Sequence, residues 1–382
     1  MARMRRTRNK NVLLLGGPYM EAYYRDIAAN AMKRNWDLEL EERYNPPRNW
    51  QGDGIISMLL DIPVMTEFLD DVTSRNIPVV DILDVLDRTD LGRVCTDSAS
   101  IGKLAADHFH DRNFRHAAFF AFEWTSLHRR RYEAFADAFG EPRPEKWCWP
   151  DEADRPEDRS ALERWLLGKI RAAPKPVAVL AFNAYNAAFL SRICHNNRIA
   201  VPHEVAILAG YESAIHTQQA GCPISAILHD NEGITRKATA LLERMMNGGA
   251  AHNTSISLPP LGIAVRRSTD AIAADDPTLR AALLFVAGNI SRPFGPSQVA
   301  DKLNIPLERL NAIAQRELGR SMLDEIVRLR VEEAKRLMIG SDTKLSAVAR
   351  LTGFCNASYF CKTFRAVAGL TPHEWRRTVK GI

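Results

Sequence analysis

Short apolar runs alternate with longer stretches of helical periodicity along the first two thirds of the chain. The run Val12–Leu15 is continuously apolar, as expected for a strand buried on both faces of a parallel sheet. The stretches between such runs space their apolar residues at helical intervals, which predicts amphipathic helices. Strands are predicted at 11–15, 38–41, 54–58, 77–80, 117–121, 177–182 and 205–209, and helices at 20–34, 67–75, 98–112, 128–139, 184–196 and 232–246.

This alternation predicts an α/β fold with parallel sheets that are covered by helices on both faces. Because the span 11–266 is longer than one such unit usually needs, we expect two α/β lobes joined by chain crossovers. Polar and turn-forming residues dominate 267–277, which predicts a linker. Strand patterns are absent after it, so residues 278–382 are predicted to form an all-α domain, and the basic residues 1–10 a disordered start.

Charge is distributed unevenly between these regions. Residues 1–10 hold five Lys and Arg and no acidic residue, and residues 276–382 hold 17 Lys and Arg against 10 Asp and Glu. Residues 11–275 hold 29 basic against 36 acidic side chains, so the net charge of +5 conceals an acidic body and a basic C-terminal domain. Such a domain favours an anionic partner, and nucleic acid is the leading candidate.

Several classes of protein are disfavoured by the sequence. No apolar run reaches the roughly 18 residues of a membrane span, and the run after the basic start ends at Gly16, too early for a signal peptide. We therefore expect a cytoplasmic protein without a membrane partner. The six cysteines are scattered without metal-ligand spacing, which predicts reduced thiols and no metal site. Gly16-Gly17-Pro18 forms no nucleotide-binding loop and no nucleophile elbow is present, so we expect neither an enzyme nor a cofactor.

The basic domain contains the pattern of a short helix, a turn and a second helix twice. The first unit comprises 297–303 and 307–318, and the second comprises 345–351 and 356–366. One long predicted helix, 322–338, connects them. Two helix-turn-helix units on a rigid connecting helix can present a helix to each of two successive major grooves of double-stranded DNA.

The second unit resembles the DNA-binding domain of the AraC/XylS family of transcription regulators. The resemblance rests on Ser346–Arg365 (SAVARLTGFCNASYFCKTFR) and on Gly369-Leu370-Thr371-Pro372 and Trp375-Arg376, and it extends over about 280–378. It implies that Ser358, Tyr359 and Lys362 face base edges, whereas Arg365 and Arg376 meet phosphates. The alternative for each residue is a solvated surface position.

The first unit departs from the family pattern. The positions that contact bases fall on Glu308, Asn311 and Ala312, where family members usually carry Arg or another long polar side chain, and Ala314 replaces the usual aromatic core residue. Asn311 can pair with adenine and Glu308 can accept from cytosine. We therefore expect both residues to contact DNA but the second unit to dominate sequence discrimination.

The acidic body resembles the sugar-binding core of the lactose-repressor family, which is similar to periplasmic sugar-binding proteins. The landmarks occur in the family's order: Gly52–Ile56 (GDGII), Ile77–Val80 (IPVV), Val94–Asp97 (VCTD), Gly102–Phe109 (GKLAADHF), Asn113–Phe120 (NFRHAAFF), Arg131 before Phe135, and Val201–Glu212 (VPHEVAILAGYE). The resemblance implies a two-lobed, type I sensor domain that binds a small sugar between its lobes.

Position within this resemblance implies a set of six ligand-binding residues. They are Tyr19, Asp84, Arg131, Asn183, Glu212 and His229. Arg131 is expected to donate two hydrogen bonds to sugar oxygens, and Glu212 to accept from hydroxyls. Ala184 and Glu212 both stand where the family usually has Asp, which leaves a different sugar, or a pocket that binds none, as alternatives. For each of the six, the other interpretation is a structural role such as an ion pair.

Joined in this order, the two domains resemble xylose-responsive regulators. We therefore expect a regulator of sugar catabolic genes that binds double-stranded DNA, responds to a small sugar with xylose as the leading candidate, and forms a homodimer. Analogy with the C-terminal domain favours an activator, whose further partner would be RNA polymerase. The alternative is a DNA-binding regulator whose α/β domain serves dimerisation or senses a ligand other than a sugar.

Overall fold

The computed structural model of the chain describes most of its length. The described residues are 9–17, 21–41, 45–58, 62–85, 88–149, 159–219, 222–249, 254–271, 273–274, 276–340 and 343–380.

The first lobe is built on a fully parallel sheet with apolar cores on both of its faces. Its strands, in sheet order, are β11 (Ser255–Leu258), β5 (Gly92–Thr96), β4 (Val79–Asp81), β3 (Gly54–Ser57), β1 (Lys10–Leu15) and β2 (Trp36–Glu41). The helices α1 (Glu21–Lys33) and α8 (Asn231–Met246) pack on one face and α2 (Pro63–Ser74) on the other. The central strand β3 is buried throughout, whereas the edge strand β2 is largely exposed, which explains why only the central strands are continuously apolar.

The second lobe repeats this arrangement with one antiparallel edge. Its sheet contains, in order, β12 (Gly262–Ala264), β10 (Ser225–Leu228), β9 (Val205–Ala209), β8 (Val177–Ala181), β6 (His116–Ala121) and β7 (Glu145–Cys148), and only β12 runs antiparallel. Helices α5 (Arg159–Ala172) and α6 (Ala184–Asn196) pack on one face, α3 (Ser98–His110) and α4 (Ser126–Phe139) pack on the other, and a short helix α7 (Ala214–Gln219) follows β9.

The chain crosses between the lobes three times, after β5, after β10 and after β11. The first and third crossovers are joined by the Asp97 amide, which donates to the Leu258 carbonyl oxygen at 2.8 Å. Two parallel α/β sheets connected in this way form the two-lobed, type I periplasmic-binding-protein-like fold that the sequence predicts. The edge formed by the carboxyl ends of the strands lies at these crossovers, where a ligand site is expected.

The segment predicted to be a linker is folded against the second lobe over its described residues. A short 3-10 turn spans Arg267–Thr269, and Ser268 and Thr269 are fully buried. The Ser268 hydroxyl donates to the Ile207 carbonyl oxygen at 2.5 Å, and Thr269 Oγ1 lies 2.9 Å from His108 Nε2. The path from the sensor lobes to the C-terminal domain is therefore held by polar contacts rather than left free.

The C-terminal domain consists of helices in the part of it that the structure describes. In chain order these are α9 (Pro277–Asn289), α10 (Pro296–Lys302), α11 (Leu307–Leu318), α12 (Met322–Gly340), α13 (Leu345–Leu351), α14 (Ala357–Ala368) and α15 (Pro372–Lys380). The domain has two small cores, and α12 contributes to both, with Met322 and Ile326 in the first and Val331 and Ala334 in the second. A single helix thus fixes the two helix-turn-helix units relative to each other.

The structure confirms the predicted fold class and adds elements that the pattern did not indicate. The first strand begins at Lys10, one residue before the predicted start, so the end of the basic segment belongs to the sheet. The strands β5, β7, β10, β11 and β12 and the helices α5 and α7 were not predicted as elements. Most of these strands are only three or four residues long.

Candidate functional site

A cavity of about 340 Å³ lies between the two lobes. Leu83 and Val85 line it from the loop after β4 of the first lobe, and the remaining lining residues belong to the second lobe. These are Phe122, Glu123, Thr125, Leu127, His128, Arg131, Phe182, Asn183, Tyr185, Asn186 and Tyr211. Its size lies within the usual range of small-molecule sites, and its walls are mostly aromatic and apolar with few polar groups, as such sites generally are.

A larger depression of about 490 Å³ lies on the first lobe, beside the end of α2 and the start of β4. Its lining contains neither an aromatic ring nor a cationic side chain, and two of its residues are Asp70 and Asp90. Because it lacks the stacking surfaces and forked donors that a sugar requires, the interlobe cavity is the better candidate site.

Arg131 is the one cation among the described residues that line the interlobe cavity. It stands on α4, is 9% exposed, and places its guanidinium 4.8 Å from the ring centre of Phe182. Nη1 lies 3.5 Å from the Phe182 carbonyl oxygen, at the limit of a hydrogen bond, and the buried Nε has no hydrogen-bond partner among the described residues. Burial lowers the pKa of Arg131 to about 10, so the side chain is still charged at neutral pH. The guanidinium therefore retains donor capacity that a ligand can use.

His128 supplies a neutral donor next to Arg131. Its ring packs on Phe182 with ring centres 3.7 Å apart, and burial lowers its pKa to about 3. Nδ1 accepts from the Thr125 backbone amide at 3.2 Å, so the ring proton of the neutral form is on Nε2. The sequence pattern did not single out His128. Its place one helical turn from Arg131 on α4 was the available signal.

Aromatic residues at the ends of strands form much of the wall. Phe122 follows β6, Phe182 follows β8, and Tyr211 follows β9 by two residues. Tyr211 is hydrogen-bonded to Tyr23 of α1, and burial raises the pKa of both hydroxyls. The sequence analysis named none of these four aromatic residues as part of the ligand site, although such a fold generally binds its ligand at residues that follow the carboxyl ends of parallel strands.

Two of the six predicted ligand residues line the cavity, namely Arg131 and Asn183. Asn183 also caps α6, since its side-chain oxygen accepts from the Asn186 amide at 2.9 Å. Its amide group remains available as a donor. Tyr19 lies outside the described residues. The other three have protein partners that account for their side chains.

Asp84 and Glu212 form ion pairs rather than lining the cavity. Asp84, in the loop after β4, pairs with Arg93 of β5 at 2.8 Å and with Arg130 of α4 at 3.2 Å, so it links the two lobes. Glu212 pairs with Arg266, just after β12. The sequence analysis left an ion pair open as the alternative role of these carboxylates, and the observed contacts are of that kind.

His229 lies in the second crossover and joins it to the first. Its Nε2 donates to the Gly210 carbonyl oxygen at 2.8 Å, so Nδ1 of the neutral ring accepts from the Thr96 hydroxyl, also at 2.8 Å. Burial lowers the pKa of His229 to about 3. Both ring nitrogens are satisfied by the protein, and the ring packs against Tyr211, which does line the cavity. His229 thus supports the wall of the cavity through Tyr211.

The second helix-turn-helix unit presents a polar surface on α14. Ser358, Tyr359, Lys362 and Arg365 are all exposed on this helix, and its opposite face is fixed in the core by Phe360 and Phe364. Asn356 caps the helix by accepting from the Tyr359 amide at 2.8 Å. Four residues that the sequence assigned to DNA contact are therefore brought to one accessible helix face.

The remaining DNA-binding candidates differ in their surroundings. Glu308 is exposed at the start of α11. Asn311 is half-buried, and its side-chain oxygen accepts from the Met322 amide at 3.1 Å, which caps α12. Arg376 is half-buried and donates through Nη2 to the Thr343 carbonyl oxygen at 2.7 Å. Asn311 and Arg376 therefore have structural roles, whereas no such role is seen for Glu308 within the described part of the chain.

Comparison with known proteins gives matches to both parts of the chain. Residues 106–269 match the periplasmic binding protein-like domain family and residues 299–378 a helix-turn-helix domain family. The xylose operon regulatory protein of Escherichia coli K12 is 21% identical over 357 residues, covering 91% of this chain and 90% of that protein. The protein of the same name from Haemophilus influenzae is 20% identical over 74% of each chain.

Two solved structures match different extents of the chain. The structure of the xylose-binding transcription activator XylR superposes with a TM-score of 0.73 at 19% identity, covering 97% of this chain and 99% of that chain. The transcriptional regulator CelR in complex with cellobiose has a TM-score of 0.54 at 17% identity, over 69% of this chain and 86% of that one. The first likeness extends over both domains and the second over about the length of the two lobes.

These findings identify the class of the protein. It is a DNA-binding transcription regulator that joins a periplasmic-binding-protein-like sensor domain to an AraC-type helix-turn-helix domain. Within this class the chain is similar to the xylose operon regulators over nine tenths of its length. No helix in the described part of the chain combines the length and apolarity needed to cross a membrane.

Proposed function

We propose that the protein regulates transcription of sugar catabolic genes, most simply as an activator, in response to a small sugar-type ligand held in the interlobe cavity. The observation that carries the proposal is Arg131, a buried guanidinium with unused donor capacity in an aromatic cavity between two lobes. Forked donors beside an aromatic face are what recognition of a small polyol requires. The similarity to regulators named for xylose supports a sugar of pentose size, with xylose as the first candidate.

Different residues of the cavity are proposed to contact different parts of the ligand. Arg131 donates to oxygens of the ligand, Asn183 and His128 donate to hydroxyl groups, and Phe122 and Phe182 pack against the apolar face of the sugar ring. The regulatory consequence follows from where these residues stand, because α4 and the loop after β4 belong to different lobes. A ligand that contacts both sides favours a closed arrangement.

Contacts across the cleft join the two lobes, and a bound ligand is proposed to act on this junction. The Ser126 hydroxyl on α4 donates to the Val85 carbonyl oxygen of the first lobe at 2.6 Å, next to the Asp84–Arg130 ion pair. From the second lobe, Arg112 donates through Nε to the Thr269 carbonyl oxygen at 2.8 Å, which connects the lobe to the segment before α9. We propose that a change in lobe closure reaches the DNA-binding domain through this segment.

On the DNA side, α14 enters a major groove with Ser358, Tyr359 and Lys362 at the base edges and Arg365 at the backbone. In the first unit, Glu308 is exposed for a base contact, whereas Asn311 reaches a base only by giving up its hydrogen bond to the Met322 amide. This unit therefore adds little discrimination. A homodimer that places two such domains on adjacent half-sites fits regulators of this class, as does contact with RNA polymerase at an activated promoter. The role is regulatory rather than catalytic, and it is carried out in the cytoplasm, where the DNA is.

The test is thermal melting of the full-length protein against a panel of pentoses and hexoses. A ligand at about 100 times its Kd adds about 2.7 kcal/mol to the stability of the native state, which is a shift of several degrees. Arg131→Ala should abolish the shift and leave DNA binding without ligand unchanged. If no member of the panel shifts a cooperative melting transition, the sensor domain serves dimerisation or another ligand class, and the DNA-binding assignment stands.

A further inference from the structure

The interlobe cavity holds a buried cation that no buried carboxylate opposes among its described lining residues. Arg131 is the one cation of these lining residues and is nine tenths buried, with Nε lacking a hydrogen-bond partner among the described residues. The acidic groups that act most strongly on Arg131 are, in decreasing order, Tyr23, Cys95, Tyr211 and Asp84. The first three are neutral at physiological pH, since burial raises the pKa of each of them.

Among the described residues, the carboxylates that could balance this charge are paired with other side chains, replaced by alanine or exposed. Glu212 pairs with Arg266, and Asp84 pairs with Arg93 and Arg130. Ala184, at the position where the related sugar-binding core has an acidic residue, is 1% exposed and packs in the core of the second lobe. The one acidic residue in the described cavity lining, Glu123, is exposed. Among the described residues, therefore, no buried carboxylate faces the guanidinium.

Two helices add further positive potential. The caps of α4 and α6, Thr125 and Asn183, both line the cavity, so both helices begin there. Neither helix carries an acidic side chain in its first turn. A helix N-terminus concentrates unpaired N–H groups and a partial positive charge, which favours an anionic group nearby.

A ligand that closes the cleft excludes water from Arg131, and its own chemistry then decides whether the charge is compensated. The hydroxyls of a neutral sugar accept hydrogen bonds but bring no charge. A carboxylate accepts two parallel hydrogen bonds from a guanidinium and neutralises it, which is the stronger arrangement. Tyr211, His128 and Asn183 supply the neutral polar groups that hydroxyls need.

We propose that the effector is a sugar acid, an aldonate or a uronate, whose carboxylate pairs with Arg131. The inference rests on the proposed function, since it specifies the ligand class of the same cavity. Sugar hydroxyls then meet Asn183 and His128, and the apolar ring or chain face packs on Phe122 and Phe182. The chain and its xylose-regulator relatives are only 19–21% identical, which leaves room for a different ligand in the same fold.

Calorimetric titration of the full-length protein with matched pairs tests this directly. The pairs are D-glucose with D-glucuronate, D-glucitol with D-gluconate, and xylitol with D-xylonate, so that the members of each pair share a ring or an open chain and differ mainly in the carboxylate. D-xylose is included as a further neutral sugar. We expect one acid to bind at least about tenfold more tightly than its neutral partner, the effect of one charge-assisted interaction. A neutral sugar that binds more tightly than its acids overturns this inference and supports the proposed function. Absence of binding by every compound overturns both.

A variant that supplies the missing charge separates this explanation from general electrostatics. Asn183→Asp keeps the capping oxygen of α6 but replaces the amide donor with a carboxylate in the cavity that holds Arg131. Both ligands lose the amide donor, so affinity for the acid should fall by about tenfold or more beyond the loss seen for its neutral partner. The matched control is Lys103→Gln, the same change in net charge at a side chain 72% exposed on α3. Equal effects of both variants, or no effect of Asn183→Asp on acid binding, would overturn the proposal.

Discussion

Gly353 lies in the turn between α13 and α14, at the point where the two helix-turn-helix units meet. Its φ is +72°, a conformation that side-chain-bearing residues rarely adopt. A Cβ there would stand 2.6 Å from the Ile290 carbonyl oxygen and 2.7 Å from that of Arg292, in the connection between α9 and α10. Arg330 of α12 holds the same connection by donating through Nη2 to the Arg292 and Phe294 carbonyl oxygens at 2.9 and 3.0 Å.

Gly353→Ala should therefore destabilise the domain in two ways. The left-handed conformation costs about 1–2 kcal/mol for an L-residue with a side chain. Ordinary carbon–oxygen contacts are about 3.3–3.6 Å, so the two carbonyls must also move apart from the new methyl group, and overpacking of this kind costs about 1–3 kcal/mol. The total is about 2–5 kcal/mol, a large part of the stability of a domain of this size.

Gly319→Ala is the matched control. Gly319 ends α11 with φ of +68°, and a Cβ there would meet nothing within 4 Å, so only the conformational cost of about 1–2 kcal/mol applies. Hydrogen–deuterium exchange measures the free energy of local opening, in peptides of α13 and α14 for Gly353→Ala and of α11 for Gly319→Ala. We expect Gly353→Ala to lower it by about 1–3 kcal/mol more than the control, with a correspondingly larger loss of DNA affinity. Equal costs for the two variants would refute the argument from close packing.

Three further predictions concern the DNA surface, two buried histidines and a carboxylate outside the cavity. Lys362→Ala should weaken binding to a selected duplex by about 1–3 kcal/mol, with the loss concentrated on one base position; a loss spread evenly over single-base variants would assign Lys362 to a phosphate instead. Burial holds the pKa of His108 and His128 at about 3, so below about pH 6.5 the unfolded chain takes up protons that the folded chain does not. As the pH falls below 6.5, each histidine therefore lowers the free energy of unfolding by up to about 1.4 kcal/mol per pH unit. Below pH 6 the folded chain takes up a proton at Asp81, whose pKa is about 6, and this partly offsets the loss. Urea titrations that give the same stability at pH 7 and pH 5 would contradict this. Glu212→Gln should leave the calorimetric ligand affinity within about twofold and reduce stability by less than about 1 kcal/mol, whereas a tenfold loss of affinity would place Glu212 in the site after all.

Local signals in the sequence were sufficient for the main helices and the central strands. The predicted bounds of α6, 184–196, are those of the structure because Asn183 supplies a capping oxygen directly before an amphipathic run. The strands β11 and β12 escaped prediction because they are short and mostly not buried, so they lack the continuous apolar pattern of β8. The turn between the helices of the second unit was predicted, but the close packing of Gly353 against the Ile290 and Arg292 carbonyl oxygens was not.

Local sequence signals were not sufficient to predict the residues of the ligand site. Asp84, Glu212 and His229 were placed at the site by resemblance, but their contacts depend on residues distant in the chain. Glu212 meets Arg266, 54 positions away, and His229 meets Thr96, 133 positions away. Pairings over such separations leave no local pattern, so residue type alone could not distinguish a ligand contact from an ion pair.

The most direct test of the account is whether the ligand controls DNA binding through Arg131. The measurement is fluorescence anisotropy of a labelled duplex, selected from a random library by the full-length protein, with and without the compound that raises the melting temperature. Wild type and Arg131→Gln should bind the duplex equally without ligand. Ligand should then change the affinity of the wild type by about fivefold or more, a typical coupling between sites, and leave the variant unchanged. A variant that responds like the wild type, or a wild type that does not respond, would contradict the account.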